Sequence, residues 1–156
     1  MHHTLPTEPR AAEAEWMGRY AALVDLCPLG LMLSSQRRIV ACNERFAALF
    51  GYTQAELLGQ SLAMLYPSED EFVRIGERGR QVMTDKGAYQ DERLMKRRDG
   101  LLQWFRVHGH AAELVDPFGT ACWVFEPLAA GADASRLTPR EREILAGLRR
   151  QEETAS

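Results

Sequence analysis

The chain has 156 residues, 46% of them hydrophobic and 26% charged, enough to bury a core without disulfides or metals. A net charge of −3 and a pI near 5.8 leave no electrostatic footprint for nucleic acid. No apolar run reaches the ~20 residues a bilayer span needs, and the N-terminus lacks the charged start and apolar middle of a signal peptide, so the expected location is the cytoplasm, with no membrane partner.

In chain order, residues 1–9 are polar with two prolines and are expected to be disordered. Arg10 to Leu26 contains no proline and much Ala and Glu, which predicts a helix. Trp16, Tyr20, Leu23 and Cys27 follow the i, i+4, i+7, i+11 spacing and share one stripe, and Pro28 ends it. Such a stripe serves either the domain's own core or a partner helix. In the second case Trp16, Tyr20 and Leu23 form the interface of a homodimer.

Leu29–Leu33 and Arg38–Cys42 read as strands joined by a turn at Ser34-Ser35-Gln36. Asn43 caps a short helix from Glu44 to Phe50, ended by Gly51, and Thr53-Gln54-Ala55-Glu56 is a capping box for another, stopped by Gly59. A brief turn, Leu62–Tyr66, precedes the longest internal helix, about residues 69–84, whose acidic first turn suits the helix dipole. The inward stripe of that helix reads Phe72, Ile75, Gly76, Gly79, Val82 and Met83. Two glycines on one face cost about 1 kcal/mol each relative to alanine, and they leave a thin helix wall.

Ala88–Arg98 and Leu101–Leu114 flank Asp99-Gly100, a two-residue hairpin signal, and Thr120–Glu126 is the last strand. A two-residue turn makes Arg98 face Leu101. Leu94 then opposes Phe105, Glu92 opposes Val107, Met95 opposes Trp104 and His108 faces Asp91. One face holds Leu94, Phe105, Val107 and Gly109, with Glu92 pointing inward or sitting at an edge. The other holds Met95, Trp104, Arg106 and His108, a surface the N-terminal helix would half cover. The basic run at 93–98 reads as a solvated hairpin end. Cys27, Cys42 and Cys122 are odd in number and far apart, which suits reduced, buried thiols rather than a disulfide framework or a zinc site.

Residues 129–134 form a small-residue linker. Beyond it, Thr138 is an N-cap, Pro139 fills the first helical position and Glu141 completes a capping box. Leu137-Thr138-Pro139-Arg140-Glu141-Arg142-Glu143-Ile144-Leu145 resembles the start of the DNA-binding domain of LuxR-type regulators. DNA is therefore an expected partner only through a helix-turn-helix domain missing from these residues.

Asn43-x-x-Phe46 opening a helix, Gly51-Tyr52, Glu56-Leu57-x-Gly59 and the Asp99-Gly100 hairpin, in that order, resemble a PAS domain. The resemblance covers about residues 19–128, with 1–18 as tail and flanking helix and 129–156 as linker and truncated output helix. It implies an α+β fold, a five-stranded antiparallel sheet with short helices on one face and an N-terminal flanking helix. It also implies a hollow that holds a ligand or cofactor.

Haem-binding PAS domains generally use a histidine on the long internal helix, and residues 68–87 contain none; His108 and His110 fall on the expected outer face. Flavin photoreceptors of the LOV class need a cysteine in Asn-Cys-Arg-Phe-Leu-Gln, whereas Cys42 here precedes Asn43-Glu44-Arg45-Phe46. The resemblance thus argues against both cofactors. It leaves an apolar hollow lined by Phe46, Phe50, Leu58, Phe72, Ile75, Gly76, Gly79, Met83, Phe105 and Phe125, with Glu92 as a polar contact. Alternatively the aromatic residues simply fill the core, and the chain is a dimerisation module without ligand. No phosphate loop, metalloprotease or nucleophile motif is present, so no catalytic residue, metal site or enzyme activity is expected.

Overall fold

Short polar side chains decide where the helices begin. Ser68 accepts from the backbone N–H of Glu71 to open α4 (Glu69–Lys86), and Thr53 and Glu56 form a reciprocal capping box on α3 (Gln54–Leu57). Asn43 does more than cap α2 (Glu44–Phe50). Its Oδ1 accepts from Phe46 N–H and Leu31 N–H, and its Nδ2 donates to the carbonyls of Val24 and Leu29. This buried amide thereby ties the end of α1 (Thr7–Leu26) to the first strand. The computed structural model describes residues 7–129 together with Ile144 and Gly147, which are helical. The rest of the expected output helix at 138–148 lies outside the described residues.

The strands β1 (Gly30–Ser35), β2 (Arg38–Cys42), β3 (Ala88–Lys96), β4 (Leu102–Ala111) and β5 (Ala121–Pro127) form one antiparallel sheet in the order β2-β1-β5-β4-β3. Helices α2, α3 and α4, with a 3-10 turn at Leu62–Leu65, cover one face and enclose the core. The α+β architecture matches the reading from sequence. Among the described residues no helix is long and apolar enough to cross a membrane.

The β3–β4 hairpin differs from expectation by one residue. Arg97 N–H donates to Leu101 C=O and Gly100 N–H to Arg97 C=O, with Gly100 at φ 85°. This is a three-residue loop, Arg98-Asp99-Gly100, closed by a glycine in the left-handed region. Arg98 N–H is drawn away to Phe50 C=O at the end of α2, and the Asp99 carboxylate accepts from Leu101 N–H. Leu94 therefore opposes Trp104, Met95 opposes Gln103, Arg93 opposes Phe105 and His108 opposes Gln90. A one-residue slip turns a strand over. Strand β4 keeps its expected faces, with Phe105 and Val107 inside, while β3 is inverted and sends Tyr89, Arg93 and Met95 inward.

Two further expectations change. Every side chain of α1 from Arg10 to Leu26 is exposed, so this helix does not cover the outer face around Trp104. Cys122 lies exposed on that outer face and Cys27 and Cys42 are half-buried; all three are free thiols.

Candidate functional site

Between α4 and the sheet the interior is not filled. The wall on the helix side is Ile75, Gly76 and Gly79, and the sheet contributes Met32, Tyr89, Arg93, Met95, Trp123 and Phe125. The cavity has a volume of about 20 Å³, room for roughly one water as the side chains stand.

Its chemistry is set by two arginines. Arg93 is 5% exposed; its Nε donates to Asp91 Oδ1 at 2.8 Å and its Nη1 to the Tyr66 hydroxyl at 2.8 Å. Its Nη2 is buried and has no acceptor among the described residues. The other oxygen of Asp91 accepts from the Tyr89 hydroxyl at 2.8 Å, so the carboxylate is fully engaged by its two neighbours.

Arg37 reaches the same place from the β1–β2 turn. Its Nη1 donates to Phe72 C=O at 2.7 Å and its Nη2 to the Tyr66 hydroxyl at 3.4 Å, while the guanidinium carbon lies 3.6 Å from the centroid of the Phe72 ring. The turn that aims it is strained. Gln36 and Arg37 have φ of 49° and 60°, and neither is glycine; left-handed conformations cost on the order of 1 kcal/mol or more for such residues.

Burial raises the Tyr89 pKa to about 12, with the Asp91 charge adding to the effect. Burial lowers the Arg37 pKa; Tyr66 offsets part of this, and the positive charges of Arg93 and Arg80 push it down further. For Arg93 burial also opposes the charge, but Tyr66, Asp91 and Tyr89 outweigh it and hold the proton more firmly. Among the described residues no group of three His, Cys, Asp or Glu side chains comes together to hold a metal ion.

The fold and an interior cavity beneath the long helix now stand beside the sequence comparison. A family model described as PAS domain matches residues 28–117. The chain belongs to the PAS domain family. Residues 28–127 or so form its sensory fold, and similar proteins share it. The PAS domain of a LuxR-family transcriptional regulator from Burkholderia thailandensis, solved in complex with ethanol, is 46% identical. That match covers 71% of this chain and 98% of the other with a TM-score of 0.69. The sensor protein TdiS of Thauera aromatica is 32% identical over 110 residues, which are 70% of this chain but only 20% of that protein. A Rhodobacter sphaeroides LOV protein shares the fold at 15% identity, with a TM-score of 0.61 and coverage of 86% of this chain and 90% of the other.

Within this PAS domain the expected lining residues separate into groups. Ile75, Gly76, Gly79 and Phe125 line the cavity. Phe46, Phe50 and Phe105 are fully buried in a ring cluster beside it, and Met83 is buried further along α4. Phe72 is half-buried beneath the Arg37 guanidinium.

Two residues are corrected. Leu58 is 48% exposed at the end of α3, because its neighbour Leu57 takes the buried position. Glu92 lies on the outer face, where it pairs with Arg106 at 3.0 Å, since the hairpin register inverts β3. The sequence reading missed Arg37, Tyr66, Tyr89, Arg93 and Trp123. A three-residue reading of Arg98-Asp99-Gly100 puts Tyr89, Asp91, Arg93 and Met95 together on one face, and would have revealed Tyr89 and Arg93.

A cleft along the edge strand β3 holds Ile144, beside Glu71, Arg74 and Arg78 of α4 and Leu94 and Trp104 of the hairpin. Ile75 and Arg93 line both this cleft and the interior cavity.

Proposed function

We propose that this PAS domain senses a small organic molecule held between α4 and the sheet, and reports occupancy to attached segments as part of a LuxR-type regulator. The observation that carries the reading is the cavity lined by Gly76 and Gly79, where the missing side chain of Gly76 lets the Arg37 guanidinium pack against the helix. That the Burkholderia PAS domain was solved in complex with ethanol supports a small organic ligand.

Ile75 and Arg93 give the signal a physical route. A side chain displaced by a ligand in the cavity also reshapes the cleft that seats Ile144, and so biases the position of Ile144. The domain acts by shifting conformations and not by catalysis. Native mass spectrometry and thermal denaturation in the presence of short alcohols and acids test the reading. A bound small molecule or a raised melting temperature supports it; no bound species and no shift with any of them defeats it.

A second role rests on a separate observation. Trp16, Tyr20 and Leu23 are 53%, 59% and 68% exposed, and Met17 and Leu26 add to this apolar surface. Surfaces of this kind mark contacts, which favours a homodimer through α1. Sedimentation should show a dimer that Trp16→Glu with Leu23→Glu converts to a folded monomer.

A further inference from the structure

We propose that the cavity selects a short-chain monocarboxylate, bound at its head by the free Nη2 of Arg93 with Arg37 as the second cation, and at its tail by the apolar wall. The inference rests on the sensing role above and specifies the ligand.

The first argument is the inventory of charge. Arg37 and Arg93 line the cavity, and Asp91 forms an ion pair with Arg93. Among these lining groups and Asp91, two positive charges and one negative leave positive charge over, and Arg80, stacked on the lining ring of Phe118, adds to it; a monoanion offsets it. The Tyr66 hydroxyl, which both guanidinium groups share, carries no charge to do so. The cationic and acidic side chains nearby on α4, Arg74, Arg78 and Glu71, line the edge cleft and not the cavity.

The second is the orphaned donor. A buried N–H without an acceptor is costly, and charged donors cost most. Arg93 Nη2 is such a donor, held by two anchoring bonds from the same guanidinium so that it cannot turn elsewhere without breaking them. A planar guanidinium suits a planar carboxylate.

The third is the rest of the wall. Met32, Ile75, Phe118, Trp123 and Phe125 offer carbon, and the Trp123 indole N–H is already donated to Ser34. A phosphate or sulfate would bring more charge than the site balances and oxygens that this wall cannot serve. An acid with one head and a short alkyl tail satisfies both halves. The strained Gln36-Arg37 turn fits the same purpose, since it holds the second cation over the cavity at a conformational cost.

The test compares acids with alcohols of the same shape on the full chain: acetate against ethanol and propionate against 1-propanol, by calorimetric titration and thermal shift at matched ionic strength. Propionate should bind roughly tenfold or more tightly than 1-propanol, the worth of a charged hydrogen bond. Arg37→Gln should remove most of that preference, bringing the affinity for propionate down toward that for 1-propanol. Arg93→Lys, which keeps a charge beside Asp91, should do the same; if it does not fold, Arg37→Gln decides. Equal binding of acid and alcohol, indifferent to both arginines, overturns the carboxylate proposal and leaves the sensing role standing. Absence of binding by either class overturns both. A shift reproduced by sulfate or chloride shows a general ion effect and also overturns the proposal.

Discussion

At one end of the interior, Phe46, Phe50, Phe105 and Phe125 meet with ring centroids 4.9 to 6.0 Å apart, stacked or edge to face. At the other, two arginines and two tyrosines line open space, with Asp91 bonded to Arg93 and Tyr89 behind them. Phe105 and Arg93 are direct partners across β3 and β4, and Phe125 belongs to both regions. The contrast shows a division of labour inside one small core. The aromatic end supplies stability through burial and ring geometry. The polar end gains little from its ion pair, because desolvation offsets most of the attraction; it is the end that the proposed sensing role uses.

The largest effect that sharpens this division is expected from Phe105→Ala. Removing a fully buried ring from the packed end should cost about 3–5 kcal/mol in denaturant unfolding, without altering any preference between acids and alcohols. At the polar end, Arg93→Gln should cost about 3 kcal/mol, since it strands the buried Asp91 carboxylate. Adding Asp91→Asn should recover part of that loss in a double-mutant cycle. A cost for the double variant as large as the sum of the singles would show that the pair is not coupled.

A smaller effect separates the two glycines of α4. A methyl at Gly79 meets only ordinary contacts, Phe118 at 3.6 Å and Tyr89 at 4.0 Å. Gly79→Ala should therefore raise stability by about 0.5–1 kcal/mol through helix propensity. A methyl at Gly76 overlaps the Arg37 guanidinium, a flexible side chain that must move. Gly76→Ala should gain nothing in melting temperature, because the same propensity gain is spent on displacing Arg37 from Phe72. Equal gains at both positions would deny Arg37 its fixed place.

The smallest effect concerns pH. Tyr89 holds its proton up to about pH 12, chiefly because it is buried, whereas an unfolded tyrosine loses it near the reference value of 10. Between these values the folded state binds more protons, so stability present below pH 10 is lost as pH rises toward 12. Urea midpoints at pH 9 and pH 11 should fall less for Tyr89→Phe than for the wild type.

The elements were legible because their signals are local. Asn43, Thr53 with Glu56, and Ser68 each name a helix start within four residues, and Gly51 names an end. The polar end was not legible, and for a definite reason. Whether Arg93 is a surface cation or a buried one depends on counting two or three residues in a turn, and that count is set by Phe50 C=O capturing Arg98 N–H from across the fold. Arg37 is hidden differently. Its turn needs two positive φ values, yet contains none of the glycine or asparagine that would announce them. Both failures fall at the site, where a sequence carries strain for use.

The strand order has a consequence for how the chain acquires its structure. The hairpin β1–β2 and the run β3–β4–β5 are local, but the middle of the sheet forms only when Gly30 meets Phe125. Closing so long a loop precedes any reward from the contacts it brings, which slows folding. Met32 comes from the early segment and Trp123 and Phe125 from the late one, so the cavity has no walls until that closure. During synthesis, no amount of waiting lets a nascent chain that ends before β5 recognise anything; competence arrives in one step with the last strand. On the proposed sensing role, a ligand present at that moment would stabilise the closed sheet by mass action and so raise the yield of folded protein.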